Sequence, residues 1–518
     1  VKSRGLALAL IGAMLLGPRA EAQTSTNYEE LQAFSTVLNY VRLNYTDSVV
    51  YRQMVRAAIN GVLGSLDPHS YFMAADDYRR LSALERGELA VTGLTMELVD
   101  GRATVLTVVD KSPADRAGID PGDRLLAIDD STTQGQGIED LKLRLAGEKG
   151  SRVRVRFARG PILEPDSFSV TLKREMVVVP VVDVATMVDS ITGLVHLAEF
   201  TETSAREVER AIHDLRGRHM RRLILDLRGN PGGLMIQAVD IASLFFPKRT
   251  VVFRTHGRRA ETDAEVMTHE DGAYRDLPLI VLIDGGSASA SEALTGSLQD
   301  HDRALIVGRR SFGKALMQVP FFLQTGDVLV LTVGRVLTPG GRFIQRRYEG
   351  LTSGQYWALS GRTGAAEDTA KVFYTNAGRV VRGGGGIAPD LEVAGPAPLP
   401  AWLGPAADSG WDTAVADSVA QTLPATSAGL ARWSVDTASW RAQLLPPFLA
   451  RVRAGLRVTA RSEPEVLDRI ARGLARRAAK VRWGDAGELA FRLRNDQDLQ
   501  AAISSFPRLS ALLAPTRP

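Results

Sequence analysis

Twice in this chain an uninterrupted apolar run of strand length ends in a glycine turn and continues with helical spacing. RRLILDLRGNPGG (221–233) leads into LMIQAVDIASLFF (234–246), apolar at Ile236, Val239, Ile241 and Leu244. LPLIVLIDGGSASASEALTGSLQ (277–299) repeats the plan. Runs of this kind are buried strands, and their alternation with helices from Pro180 to about Leu337 specifies an α/β core. Ligands of open α/β sheets gather at strand-to-helix turns, at the carboxyl ends of the strands. The two glycine turns are therefore expected to wall one site.

At 518 residues the chain is too long for one ordinary domain. Tyr28 to about Leu84 has helical spacing, through Leu31, Phe34, Leu38, Val41 and Tyr45, then Met54, Val55, Ala58, Ile59 and Val62. SLDPHSYF (65–72) interrupts it, and His69 in that turn reads as structural. From about 87 to 175 the period becomes that of strands, in ATVLTVV (103–109), DRLLAID (123–129) and SRVRVRFAR (151–159). GIEDLKLRLAG (137–147) is a helix packed among them. The α/β core is expected over 176–395, with an irregular insertion at about 351–385 that ends in GGGG. Beyond a linker, 396–518 is helical. There Ser462 and Glu465 have capping-box spacing, ahead of a stripe at Val466, Ile470, Leu474 and Ala478.

Charge excludes one class of partner. Lys and Arg number 63 against 59 Asp and Glu, so the net charge is only +4 despite a pI near 9.3. That gives no basis for nucleic-acid binding. Lys2 and Arg4, the apolar run Leu6–Leu16 and the Ala20-Glu21-Ala22 site read as a signal peptide over 1–22, cut after Ala22. No later run approaches the ~20 apolar residues of a membrane span, and the chain has no cysteine. The expected place is the periplasm, or failing that the medium.

GGSASASEA (285–293) puts three serines at alternate positions after the second strand. Ser289 with Glu292 has the spacing of a capping box, which needs no chemistry. A serine at a helix N-terminus after a glycine turn also stands close to backbone N–H groups that can hold an oxyanion. A serine nucleophile needs a base, and no Ser-His-Asp arrangement is apparent; His301, past the helix end, reads as exposed. RRSFGKALMQVPF (309–321) supplies a lysine flanked by Phe312, Ala315 and Leu316. Burial lowers a lysine pKa by up to ~3–5 units, and a drop of ~3 corresponds to about 4 kcal/mol against the ammonium. Gln318, four residues on, can orient such an amine without adding negative charge.

At this point the chain resembles a family: the carboxyl-terminal processing, or tail-specific, serine proteases with an embedded PDZ domain. The likeness runs through SLDPHSYF, PADRAGIDPGDRLLAID (113–129), LILDLRGNPGGL (223–234), SASASEALTGSLQDHDRALIVG (287–308), SFGKALMQ (311–318), LTPGGRFIQ (337–345) and GIAPDLEV (386–393). It implies a multidomain α/β protein: a crotonase/ClpP-like α/β protease core, an inserted mostly-β PDZ domain, a helical N-terminal region and a helical C-terminal tail. It implies Ser289 as nucleophile, Lys314, 25 residues later, as base, and Gln318 as the assisting residue. The oxyanion donors would be the N–H groups of Ala290 and of Gly232 or Gly233. Asp300, implicated in some members, lies at the far end of the helix and reads as structural. Thr92, Gly93, Leu94 and Thr95 would form the loop that captures a substrate's C-terminus. The usual glycine after the lysine is Ala315, and a usual valine before the glutamine is Met317.

Function follows as an expectation. The chain hydrolyses peptide bonds through an acyl-enzyme and takes protein or peptide substrates with accessible apolar C-termini, and an adaptor or activator protein is compatible with the PDZ domain. No metal or other cofactor is called for: there is no H-E-x-x-H, and ETDAE (261–265) reads as a charged loop. The rivals are a catalytically silent PDZ scaffold, another Ser-Lys amidase or esterase, and a crotonase-like acyl-CoA enzyme, which export disfavours.

Overall fold

The computed structural model describes residues 19–512 apart from 86–87, 100–101, 160–165, 353–354, 357–358, 360–370 and 461. The leader expected over 1–22 lies outside the described residues as far as position 18. The two apolar runs lie side by side: strands Arg222–Asp226 and Leu279–Ile283 pair in parallel, Leu223 opposite Leu279 and Asp226 opposite Leu282. They form the middle of a six-stranded sheet ordered Leu391–Glu392, Leu305–Gly308, Leu279–Ile283, Arg222–Asp226, Thr192–Leu197 and Val182–Met187. Only the Val182–Met187 edge is antiparallel to its neighbour.

Alternation along these strands divides their side chains between two cores. Leu223, Leu225, Val281 and Ile283 pack against helices Ser204–Gly217, Met235–Ser243 and Ala290–Asp300. Ile224, Ile280 and Leu282 point the other way, onto Leu499, Ala502 and Phe506 near the end of the chain. Covering both faces is what makes the runs apolar throughout.

A second sheet of five strands stands beside the first. Its long strand Val328–Leu337 pairs with Leu316–Phe322 and with Val251–Gly257, which in turn pairs with Ala264–Met267. Tyr71–Met73 pairs antiparallel with Val328–Val330, so the SLDPHSYF turn is sewn onto the core. The insertion expected over 351–385 holds a hairpin, Val372–Tyr374 with Val380–Arg382, and a fully buried Tyr356.

Strands Leu94–Val99, Arg102–Val108, Arg124–Ile128, Arg152–Arg159 and Asp166–Lys173 form a separate sheet. With helix Ile138–Leu145 it encloses Met96, Val105, Leu125, Leu141 and Phe157. Leu94–Val99 is an edge of that sheet.

The C-terminal helices enclose a core of their own around Trp433, Trp440, Phe448 and Phe491. The expected stripe at Ile470, Leu474 and Ala478 is buried there. The Ser462–Glu465 capping box is not formed. Glu463 is the N-cap and makes no side-chain bond, and Pro464 takes the first position of the helix Pro464–Arg494. At the other end of the chain, helix Arg19–Asn44 leaves Leu31, Phe34, Tyr40 and Leu43 exposed.

Candidate active site

Burial separates the three serines. Ser287 is fully buried, its Oγ donating to the Leu227 carbonyl at 2.7 Å and accepting from the Asp284 N–H at 3.0 Å. Ser291 is fully buried too, and donates to the Asn230 carbonyl at 3.0 Å. Ser289 is half-buried and opens into a cleft of about 740 Å³, shared with Lys314, Gln318, Gly233, Phe200 and Tyr71. Its backbone sits at φ 55, ψ −112, where a side chain other than glycine's costs ~1–3 kcal/mol. Strain of this kind marks sharp strand-to-helix turns that push a side chain into the open.

The two glycine turns do close on each other. Asn230 knits them, its carbonyl accepting from Ala288 N–H at 3.0 Å and its Nδ2 donating to the Leu197 carbonyl at 2.8 Å. Its Oδ1 takes the Gly232 N–H at 2.8 Å. Among the described residues, the N–H groups of Gly233 and Ala290 have no protein acceptor. Of the two glycines, Gly233 is therefore the one with a donor to offer, and Gly232 contributes room. A Cβ on Gly232 would lie 2.7 Å from the Ala288 carbonyl oxygen, 2.8 Å from Ser289 Cβ and 2.9 Å from Ala290 N, at φ +100. Gly232→Ala should push the Ala290 N–H out of place and so lower kcat on a peptide substrate by ~10²–10³, the cost expected where one oxyanion donor is displaced, with the near-ultraviolet circular dichroism of the core retained.

Lys314 is half-buried, two residues before the strand Leu316–Phe322 begins. Close by lies His69, buried, its pKa lowered to about 4 by burial and by the Lys314 charge, against the upward pull of Asp67. Its Nε2 is 3.1 Å from the Tyr356 hydroxyl, and the two rings meet edge to face. Tyr356 accepts from Gln345 Nε2 at 3.1 Å and packs edge-on against Phe312. Burial raises its phenol well above the ordinary range. Sequence reasoning missed Tyr356 altogether, since a single aromatic in an irregular stretch carries no periodic signal.

Gln318 also reaches the cleft, beyond a bulge between Met317 and Gln318. Its Nε2 donates to Thr332 Oγ1 at 3.1 Å, and that hydroxyl donates to Asp67 Oδ1 at 3.1 Å. The amide is thus anchored to the SLDPHSYF turn.

Glu292 closes the capping box with Ser289 that the sequence implies, and does so from the interior. It is buried, and its carboxylate accepts from the N–H groups of Ser289, Gly313 and Lys314 and from the Ser311 hydroxyl. Burial pushes its pKa up to about 7 against the opposite pull of these four donors.

Asp300, at the far end of the helix, pairs with the buried Arg342 and accepts from Gly340 N–H at 2.8 Å, which is a structural role. His301 is not exposed as expected: it is half-buried, with Nε2 2.7 Å from the Val251 carbonyl and its ring against Phe246. In the other sheet Thr92 is buried, and its carbonyl accepts from Ala114 N–H at 3.0 Å. Gly93 has φ 85, its carbonyl accepts from Val109 N–H at 2.9 Å, and an added Cβ would stand 2.2 Å from Ser112 Cβ. Leu94 and Thr95 begin the edge strand, against which helix Ile138–Leu145 packs. Among the described residues no group of three His, Cys, Asp or Glu side chains could hold a metal ion.

Fold and site together define a serine protease that carries a PDZ domain. The peptidase family S41 profile matches residues 191–354 and a PDZ domain profile matches 104–159. The carboxy-terminal-processing protease of Bartonella bacilliformis is 33% identical over 338 residues, which is 63% of this chain and 76% of that one. The carboxyl-terminal-processing protease of Synechocystis is 34% identical over 296 residues, 56% of this chain and 68% of that one. Among solved structures, the photosystem II D1 C-terminal processing protease is 25% identical, with a TM-score of 0.41 over 70% of this chain and 88% of that one. The chain belongs to the carboxyl-terminal-processing proteases of peptidase family S41.

Proposed function

We propose that this protease cuts through a Ser289–Lys314 dyad and selects substrates by an apolar C-terminal tail held on its PDZ domain. The observation that carries the reading is that Ser289, alone of the three serines, opens into the cleft that Lys314 and Gln318 line. Neutral Lys314 takes the Ser289 proton as Oγ adds to the scissile carbonyl. The Gly233 and Ala290 N–H groups receive the oxyanion, as preformed donors do in acyl transfer. Protonated Lys314 then gives its proton to the leaving amine, and water, deprotonated by the same lysine, releases the acyl group.

Leu94–Val99 has an edge to which a substrate strand can add, with the Gly93 turn at its start for the terminal carboxylate. The leader-like N-terminus supports export. Among the described residues no helix is long and apolar enough to cross a membrane.

The test uses one unfolded reporter protein with two tails, Leu-Ala-Ala and Asp-Asp-Asp. The apolar tail should give a KM lower by at least ~10-fold, about 1.4 kcal/mol. Gly93→Val, whose side chain would strike Ser112, should erase the difference while leaving hydrolysis of a short tail-free peptide unchanged. Equal cleavage of both reporters by the unaltered enzyme would remove tail selection from the reading.

A further inference from the structure

Among the buried ionisable groups that the mechanism does not use, Glu292 is bonded to the backbone of both Ser289 and Lys314. Glu292 lies in the first turn of helix Ala290–Asp300, and its two carboxylate oxygens divide their work. Oε1 accepts from the Ser311 hydroxyl at 2.5 Å and from Gly313 N–H at 2.7 Å. Oε2 accepts from Ser289 N–H at 2.9 Å and from Lys314 N–H at 2.8 Å. We propose that Glu292 is the positioning residue of the dyad: a single oxygen atom, bonded to the backbone of nucleophile and base alike, fixes the distance between them. The inference rests on the Ser289–Lys314 reading above.

Three features make this more than a helix cap. Ser289 and Lys314 come from different sheets, the first following Leu279–Ile283 and the second preceding Leu316–Phe322. Neither residue lies in a strand ladder, so local ties set their separation: the Phe312 N–H on the Ser287 carbonyl at 2.9 Å, and the Glu292 carboxylate on the two residues themselves. Ser289 also holds a strained backbone conformation, which persists only where its surroundings over-determine it. The bond from its own N–H to Oε2 is one such restraint. The loop that carries Lys314 is fixed at three points on the same carboxylate, by Ser311, Gly313 and Lys314 itself. Ser311 is further locked because its Oγ accepts from Ile387 N–H at 2.6 Å.

A carboxylate has about four lone-pair sites, and here four donors fill them. That stoichiometry predicts how substitutes behave. Glutamine keeps the length and one acceptor oxygen, so it can hold Ser289 and Lys314 only by turning its NH2 toward the Gly313 N–H. Aspartate keeps the charge and both oxygens but is one methylene short, and cannot reach both backbones at once. If position is what matters, aspartate must be the worse replacement.

The experiment measures kcat and KM on a tail-bearing peptide for the full chain and for Glu292→Gln, Glu292→Asp and Ser311→Ala, per molecule folded by near-ultraviolet circular dichroism. The expected result is a fall in kcat with KM within about twofold, because displacing a reacting group by ~1 Å costs about 10²-fold. Glu292→Asp should lose about 10²-fold or more, Glu292→Gln less, and Ser311→Ala, which leaves the carboxylate in place, least. Aspartate equal to or better than glutamine would overturn the proposal, since charge and not reach would then be the requirement. So would a loss confined to the folded fraction or to KM. Ser289→Ala run alongside separates the two readings: if it stays active, the dyad itself is wrong, and if it is dead while the Glu292 variants keep full kcat, only the positioning role falls.

Discussion

Ser289→Ala should bring proteolysis down to background, a loss of about 10⁶-fold in kcat where nucleophile and base act as a unit. Ser287→Ala and Ser291→Ala should instead lose stability. The Ser287 hydroxyl satisfies the Leu227 carbonyl and the Asp284 N–H, both in the interior. Leaving a buried polar group without its partner costs ~1–3 kcal/mol, which for a core of this size lowers the thermal midpoint by about 2–4 °C per kcal/mol. Ser291 makes one such bond and should cost less. Lys314→Arg extends the test: a guanidinium keeps the cation and cannot be deprotonated, so it should be as inactive as Lys314→Ala. With the native lysine, kcat/KM should rise with pH as the amine loses its proton. Cleavage and labelling by a fluorophosphonate, measured for all five variants, check the set. Full activity in Ser289→Ala, or an active arginine variant, would refute the dyad.

The alternation of strand and helix was legible because it is written in period and composition. LILDL and LIVLI read as buried strands because each run is short and ends in a glycine turn, and those turns are close to one another because the strands are neighbours. What was not legible depends on burial from afar. The composition of SASAS is the same around each serine; the resemblance singles out Ser289 by its spacing to Lys314, and the physical difference is the depth of Ser287 and Ser291 beneath the Leu227 and Asn230 carbonyls. Glu292 reads as a cap because S-x-x-E is local, whereas three of its four donors come from residues 311–314. Ser289 and Glu292 do form the box that their spacing implies, whereas Ser462 and Glu465, at the same spacing, form none, Glu463 being the N-cap there. Tyr356 reaches His69 across 287 positions of sequence from a stretch with no period at all.

Removing residues 496–518 should unfold or inactivate the core, although this segment lies far from the cleft in sequence. Its helix Gln497–Ser505 and the turn after it place Leu499, Ala502 and Phe506 over Ile224, Ile280, Leu282, Leu305 and Val307. Exposing a Leu, Ile or Val side chain costs ~1.5–3 kcal/mol, so uncovering several approaches the ~5–15 kcal/mol that holds a domain together. The same segment neutralises the arginines at the carboxyl ends of two strands. Arg228 bonds Asp496 at 2.7 Å and Asp498 at 3.0 Å, and Arg309 bonds Asp498 at 2.9 Å. Arg228 immediately precedes the Gly229–Gly233 turn, so its anchoring bears on the turn that offers the Gly233 N–H. The milder Asp496→Asn with Asp498→Asn leaves Arg228 its pairing with Asp226 at 2.6 Å and should weaken the core by about 1.5–3 kcal/mol, the worth of hydrogen bonds to a charged group, and lower kcat more than KM. Guanidinium denaturation followed by tryptophan fluorescence and by activity measures both effects. A chain ending at Asn495 that kept the full denaturation midpoint and full kcat would show that the sheet needs no cover on this face.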